Sequence, residues 1–538
     1  MNRYLNHASL LCILVFAASF FLFFRLGALP LADPDEPRYA ESAREMLERG
    51  SFMVPYFNYT PRLEKPVLYY WTICLSYKLF GVSESSARLS SVIAALLVLC
   101  ATFFFISRFS GPGAATLSCA MLGASPLFFV PARLSMPDMV LGLFMIASLF
   151  CFYTGWQEQA PKKKTLWYNG FYFFQVLAAW TKGPVGIVLP LCVALLSLLR
   201  ERDSRELRSL KLLPGICLVL LASLPWYLYI YLCVDPAAMI RMSGSETAGR
   251  IFGAMDRPHD PLGFYFAVAL PGLLPWTFLV PWALYKRRRG LEPSRLGNFF
   301  ETWFVCFFIF FTVCALKKPQ YIVSLSCVFA GWLGTIAWEV FKKEPLKKDV
   351  GLIASIAALF AAVLAGGSAG LWWTSRHAPE AMAGGASMLV AFSVPTAFAL
   401  WLAARNRKGT ALFALCMATL VSIMPFTSYG NAWLGRYRSM RDFVHDYEPL
   451  AGRADTVYSG FRTLNSLVFY LRRPVIVDTD SEGLKKSLNA SKRWICFLPA
   501  KKYEENRDTL SGFFVAEKYG KVLLSDMPAA ADAPAAKR

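Results

Sequence analysis

Two carboxylates and four cations stand out because each sits within two residues of a proline or glycine. They are Asp35 and Arg38 in Pro34-Asp35-Glu36-Pro37-Arg38, Lys65 in Glu64-Lys65-Pro66, Asp138 after Pro137, Lys182 in Lys182-Gly183-Pro184, and Lys317 in Lys317-Lys318-Pro319. Together they are the side chains a group-transfer site needs. A carboxylate orients or deprotonates an acceptor, and cations hold a leaving phosphate. Asp35 and Asp138 supply the first, and Arg38, Lys65, Lys182 and Lys317 are candidates for the second. A lysine at the end of an apolar run also snorkels to the water interface without any further role. Six such groups argue for a site only if they share one face of the protein, so the elements that carry them decide the matter.

Those elements are apolar helices. The chain has 538 residues, 56% hydrophobic and only 17% charged, where a soluble protein holds about 25% charged residues. Repeated apolar runs predict about thirteen spanning helices, near 8–26, 87–108, 114–131, 137–155, 166–181, 184–199, 212–232, 263–285, 301–316, 321–341, 350–373, 387–404 and 410–429. The first reads as an uncleaved helix, with Ala17-Ala18-Ser19 as the alternative of a signal-peptide cleavage site. The net charge of +20 is a topological signal, with no nucleic acid implied. The basic clusters Lys162–Lys164, Arg200–Lys211, Lys286–Arg289, Lys342–Lys348 and Arg405–Lys408 all fall on one side of the spans, and the positive-inside rule makes that side cytoplasmic. The thirteen cysteines contain no C-x-x-C pair and lie mostly in apolar runs, so they read as small core residues.

The opposite face then holds all six groups of the opening constellation, and ionisable groups at span ends are costly enough to mark a site or a mutual pairing. Its largest loop, residues 27–86, contains a helix from Arg38 to Arg49 stopped by Gly50, and an aromatic stretch from Pro66 to Phe80 that reads as a helix in the plane of the interface. A true span there would invert every later loop and put the basic clusters outside. After residue 430 the composition changes. Strand-like segments at 456–459, 474–478, 494–498 and 513–524 alternate with helix-like segments at 464–471, 482–488 and 502–510. That pattern predicts a small α/β domain at 431–526, outside the membrane, with a disordered tail at 527–538. The expected architecture is therefore an all-α polytopic membrane domain over 1–430 followed by a small C-terminal α/β domain.

No phosphate-binding glycine loop of the nucleotide-binding type is present. A transferase working on the outer face has no direct access to cytosolic nucleotide sugars and needs a lipid-carried donor. At this point the motifs resemble a known family. Pro34-Asp35-Glu36-x-Arg38-Tyr39-Ala40-Glu41 with Arg44-Glu45-Met46-Leu47, Glu64-Lys65-Pro66 followed by Tyr70-Trp71, Asp138, Thr181-Lys182-Gly183, Glu246 and His259, and Lys317-x-Pro319-x-Tyr321 occur in the order found in GT-C glycosyltransferases of the protein O-mannosyltransferase superfamily. Within it the likeness is greatest to the bacterial lipid A 4-amino-4-deoxy-L-arabinose transferases. The resemblance implies an enzyme of the bacterial inner membrane with its site on the periplasmic side, a polyprenyl (undecaprenyl) phosphate sugar as donor, and lipid A or another envelope acceptor. Asp35 would be the main catalytic carboxylate and Asp138 a second one near the sugar. Arg38, Lys65 and Lys182 would hold the donor phosphate, and Tyr321 would line the donor cavity. Glu64 and His259 match a pair that can hold a metal ion in the family, a plain Glu–His contact being the other reading. The expected chemistry requires no cofactor. Arg62 stands where the family often has an aromatic residue, and Leu63 where it often has Phe, which leaves the sugar open. The alternatives are an O-glycosyltransferase of the same fold with a protein or other glycan acceptor, and a lipid-linked glycan flippase. A flippase should bury charges near the midplane and show paired repeats, neither of which the sequence shows.

Overall fold

The computed structural model describes residues 7–241, 249, 260–290, 294–344, 348–377, 382–462, 464–510 and 513–527. The chain divides into two compact units. One comprises Met1–Leu26, Leu63–Thr72 and Arg88–Phe426; the other comprises Gly27–Arg62, Ile73–Ala87 and Thr427–Arg538. The division near residue 430 falls at 426–427, and most of the first outer loop clusters with the C-terminal segment. The expected tail beyond residue 527 lies outside the described residues.

Helices numbered along the chain are α1 (His7–Phe23), α2 (Asp35–Arg49), α3 (Leu68–Phe80), α4 (Glu84–Ser110), α5 (Pro112–Gly123), α6 (Pro126–Ala132), α7 (Pro137–Gln157), α8 (Pro161–Lys182) and α9 (Val185–Arg200); later ones are given by residue range. In the first unit, eight helices among the described residues are long and apolar enough to cross a bilayer. The number is ten if the bent pairs α5–α6 (64°) and Phe264–Gly272 with Trp276–Arg289 (93°) each form one span. Ser9–Phe23 and α9 are shorter apolar helices, and α8 opens on three lysines that dilute its hydropathy. Each of the thirteen expected spans has a helix or bent pair in its place, and the protein is a multi-pass membrane protein. Helices are the natural solution, because they satisfy every backbone group within the segment. The carbonyls that a helix end leaves over are closed by arginines. Arg133, 8% exposed, donates to the Phe21, Leu22 and Phe24 carbonyls at 2.7–2.8 Å, and Arg88 donates to the Leu26 carbonyl at 2.9 Å. Cations at a helix C-terminus also suit its dipole. Small residues set the closest approach, as at Gly334, where a Cβ would meet Ser118 Oγ at 2.3 Å.

In the second unit α2 begins at Asp35, three residues before the expected start. Pro37 lies in its first turn, where a missing N–H costs nothing. Gly50 ends it at φ +67°, a left-handed conformation that favours glycine. The hairpin β1 (Tyr56–Phe57) and β2 (Thr60–Pro61) follows. Residues of α3 in this unit leave Leu75, Leu79 and Phe80 60–67% exposed. The C-terminal segment holds β3 (Thr456–Gly460), β4 (Ile476–Asp478), β5 (Trp494–Pro499), β6 (Phe514–Lys518) and β7 (Lys521–Ser525), in the order β4-β3-β5-β7-β6. The first three are parallel and the last two antiparallel. Ile495 and Phe497 of β5 pack into one apolar cluster with the helix Asn465–Leu471, while Trp494, Cys496 and Leu498 pack into another with the helix Ser481–Ala490. Covering on both faces explains why β5 is an unbroken apolar run. The segment 513–524, read as a single strand, is a hairpin. Tyr519 and Gly520 turn it with φ of +56° and +70°, the geometry of a two-residue β-turn.

Candidate active site

The candidate site of the first unit forms where two helix ends meet. α7 and α8 are antiparallel neighbours joined by the short segment 158–160, so the start of α7 and the end of α8 lie at the same end of the pair. Pro137 opens α7 and puts Asp138 in its first turn. Lys182 is the last residue of α8, stopped by Gly183 at φ +88°. A carboxylate at a helix N-terminus and an ammonium at a helix C-terminus are each favoured by the local dipole. The two side chains pair at 2.5 Å, Lys182 Nζ to Asp138 Oδ1, with exposures of 12% and 4%. The same ammonium stands 4.1 Å from the centre of the Tyr321 ring, a cation–π contact.

Lys65, 7% exposed, reaches the same place. The helix that follows it is anchored by Trp71 against Trp180 of α8, ring centres 5.7 Å apart. The turn ahead of Asp138 is held by Ser91 Oγ donating to the Met136 carbonyl at 3.3 Å and by Ser135 beside the Tyr69 hydroxyl at 3.5 Å. Lys65, Asp138, Lys182 and Tyr321 line one cavity of about 150 Å³, whose remaining walls include Leu141, Met145, Val188 and Phe311. Lys65 and Lys182 bring two ammonium groups and Asp138 a carboxylate to its polar end, and below that end the walls are apolar. The cavity is built for a ligand with an anionic head and an apolar body.

Lys317 is placed differently. Its ammonium donates to the Asp260 and Cys314 carbonyls at 2.9 and 2.7 Å, and its own N–H donates to Asp260 Oδ2 at 2.7 Å. It does not line the cavity. In Lys317-x-Pro319-x-Tyr321 the lysine pins the loop, the proline starts a short helix, and the tyrosine is what reaches the site. The expected phosphate-binding cation Lys317 is thus held by backbone carbonyls in this structure. Asp260 was missed, because its role is visible only through the partner that folds onto it. The apolar wall was missed as well, because Met145 and Phe311 look like any other residues of an apolar run.

Asp35 and Arg38 belong to the second unit. Both are half-buried in the first turns of α2, and a spacing of three puts them on one side of it. Glu36, 3% exposed, is spent on structure, accepting the Ala32 N–H through Oε2 at 3.0 Å. Glu64 is half-buried next to Lys65. His259, its expected partner, and Glu246 lie outside the described residues. Among the described residues no three His, Cys, Asp or Glu side chains are grouped to hold a metal.

Comparison with known proteins agrees with this architecture. Residues 64–229 match the family model for dolichyl-phosphate-mannose-protein mannosyltransferase. An uncharacterized protein of Aquifex aeolicus is 33% identical over 350 residues, 64% of this chain and 66% of its own length. The undecaprenyl phosphate-alpha-4-amino-4-deoxy-L-arabinose arabinosyl transferase of Edwardsiella ictaluri is 29% identical over 360 residues, 64% of either chain. The chain thus spans just under two thirds of the length of these curated relatives. The structure of ArnT from Cupriavidus metallidurans bound to undecaprenyl phosphate superposes with a TM-score of 0.79 at 22% identity, covering 96% of this chain and 98% of that one. The oligosaccharyltransferase AglB of Archaeoglobus fulgidus gives a TM-score of 0.52 at 13% identity over 97% and 75%. Residues 64–229 thus resemble the mannosyltransferase family, and the chain shares its fold with ArnT and AglB.

Proposed function

We propose that the protein is an integral-membrane glycosyltransferase that moves a sugar from an undecaprenyl-phosphate carrier to lipid A on the periplasmic side of the bacterial inner membrane. The observation that carries this reading is the cavity in which Lys65, Lys182 and Asp138 stand above an apolar wall. A polyprenyl phosphate has the same division, one anionic head on a hydrocarbon chain. The names of the relatives, and the undecaprenyl phosphate in the Cupriavidus structure, point to the same donor class.

In the proposed reaction an acceptor oxygen attacks the anomeric carbon. The bond from that carbon to the phosphate oxygen breaks, and polyprenyl phosphate leaves with the electron pair. Lys65 and Lys182 carry the charge that grows on the phosphate, Arg38 adds a third cation, and Asp138 sits near the sugar. Asp35 takes the proton of a hydroxyl acceptor, with inversion at the anomeric carbon. If the acceptor is a lipid A phosphate, already ionised, Asp35 orients it. No step of this scheme needs a metal ion. The test is mass spectrometry of lipid A and envelope glycans from a strain lacking the gene. Loss of an aminopentose from lipid A is the expected result. Loss of a different sugar, or of one from another acceptor, would keep the transferase and discard lipid A aminoarabinosylation.

A further inference from the structure

The chain immediately ahead of Asp35 is tied, group by group, to the C-terminal α/β segment of the same unit. Arg441 donates to the Ala28 carbonyl at 3.2 Å, and the Leu31 N–H donates to the Tyr470 hydroxyl at 3.0 Å. The Asp33 N–H donates to the Arg438 carbonyl at 2.8 Å. The Asp33 carboxylate then takes two bonds from one residue, Ser466: its N–H at 2.9 Å and its hydroxyl. Asn465 Nδ2 donates to the Pro34 carbonyl at 2.8 Å. The last turn ahead of α2 is therefore gripped on both sides of the peptide unit that leads into Asp35.

Anchoring the segment would not require this arrangement, since the Ala28 and Leu31 contacts already supply that. The carboxylate of Asp33 is half-buried; burial pushes its pKa up, and the two Ser466 bonds with the charges of Arg462 and Lys521 pull it back. Burying a charge is tolerated only where such partners hold it. Asn465 and Ser466 are themselves 2% and 0% exposed, so the grip is rigid. Only Pro34 separates Asp33 from Asp35, too short a stretch to absorb a shift.

We propose that Asp33, Ser466 and Asn465 are positioning residues for Asp35, so that the C-terminal α/β segment serves the transfer reaction by setting the place of its carboxylate. The inference rests on the reading of Asp35 as the reacting carboxylate. A misplacement of about 1 Å costs on the order of 10²-fold in rate, so loss of one clamp should act on turnover before it acts on binding.

The experiment measures kcat and donor KM for Ser466→Ala, Ser466→Thr and Asp35→Asn in the full-length protein in liposomes, with rates counted per polyprenyl-phosphate binding site. Ser466→Ala should lower kcat about 10- to 10²-fold with donor KM within about twofold, and Ser466→Thr, which keeps the hydroxyl, should recover most of it. An inactive Asp35→Asn beside an unchanged kcat in Ser466→Ala overturns the positioning role and leaves the catalytic reading standing. A fully active Asp35→Asn overturns the catalytic reading, and the positioning role with it. A raised KM at unchanged kcat in Ser466→Ala also overturns the inference. If Ser466→Ala does not accumulate, Asn465→Ala carries the same expectation, and a wild-type kcat there overturns it.

Discussion

Lys182 and Asp138 meet at 2.5 Å at the joined ends of α8 and α7, and neither is more than 12% exposed. Taking both charges out of water is expensive, and removing one partner from a buried pair costs about 3–5 kcal/mol. Lys182→Ala should lower thermal stability in detergent by that order and also weaken donor binding. Lys182→Met combined with Asp138→Leu should recover the stability, since no charge is left stranded, and should remain inactive. Recovery of transfer activity in the double variant would show that the pair only holds the two helices together.

Two lysines from one sequence constellation should behave differently. Lys65 lines the cavity, and a charge-assisted hydrogen bond is worth about 1.5–3 kcal/mol. Lys65→Ala should raise the Kd for polyprenyl phosphate roughly 10- to 10²-fold. The Lys317 ammonium serves two backbone carbonyls, so Lys317→Met should reduce accumulation and thermal stability. Its Kd in the folded fraction should stay within about threefold, short of the tenfold that 1.4 kcal/mol represents. The opposite pattern in a binding titration would reverse the two assignments.

Asp35→Asn keeps size and most hydrogen-bonding capacity but loses the proton-accepting charge. Glu36 is adjacent and buried, with Oε2 committed to the Ala32 N–H, so it is not available to replace Asp35. Asp35→Asn should insert and fold normally yet lose transfer of label from a polyprenyl-phosphate sugar. Glu36→Gln retains a carbonyl acceptor for Ala32 and should be the milder lesion. Activity in Asp35→Asn comparable to the wild type would refute the assignment.

Burial and, after it, the neighbouring charge of Glu41 push Glu45 from the ordinary 4.5 up to about 7. The folded second unit therefore holds a proton that the unfolded chain gives up between pH 4.5 and 7. The resulting stabilisation is complete below about pH 4.5 and is lost as pH rises through about 7. Glu45 accepts the Tyr59 N–H through Oε2 at 2.8 Å, and Glu45→Gln keeps an oxygen for that bond. The variant should flatten the dependence of melting temperature on pH between 5 and 8. An unchanged slope would place the titration on another group.

The helices and their order were legible because the apolar runs are long and the basic clusters alternate with them. Asp138, Lys182 and Tyr321 were legible because Pro137, Gly183 and Pro319 mark the ends of elements, and ends are where a sequence speaks most clearly. The placing of Lys317 was not legible, because a lysine two residues ahead of a proline announces only a loop. Whether its ammonium meets a ligand or two carbonyls depends on Asp260, 57 residues away. The turn at Tyr519-Gly520 was passed over because only its second residue is a usual turn former. The grip of Ser466 on Asp33 joins residues 433 apart, a distance no local pattern encodes.

The short turn between α7 and α8 lies at the end of the pair remote from Asp138 and Lys182, which makes their meeting a matter of counting. α7 contributes 21 residues and α8 contributes 22. One residue added within either helix would swing its end side chain by about 100° and move it about 1.5 Å along the axis, parting the ammonium from the carboxylate while leaving composition and hydropathy untouched. The hairpin behaves as a caliper whose jaws are set by the lengths of its arms, so drift by insertion or deletion is confined to the hinge and to the loops beyond the jaws.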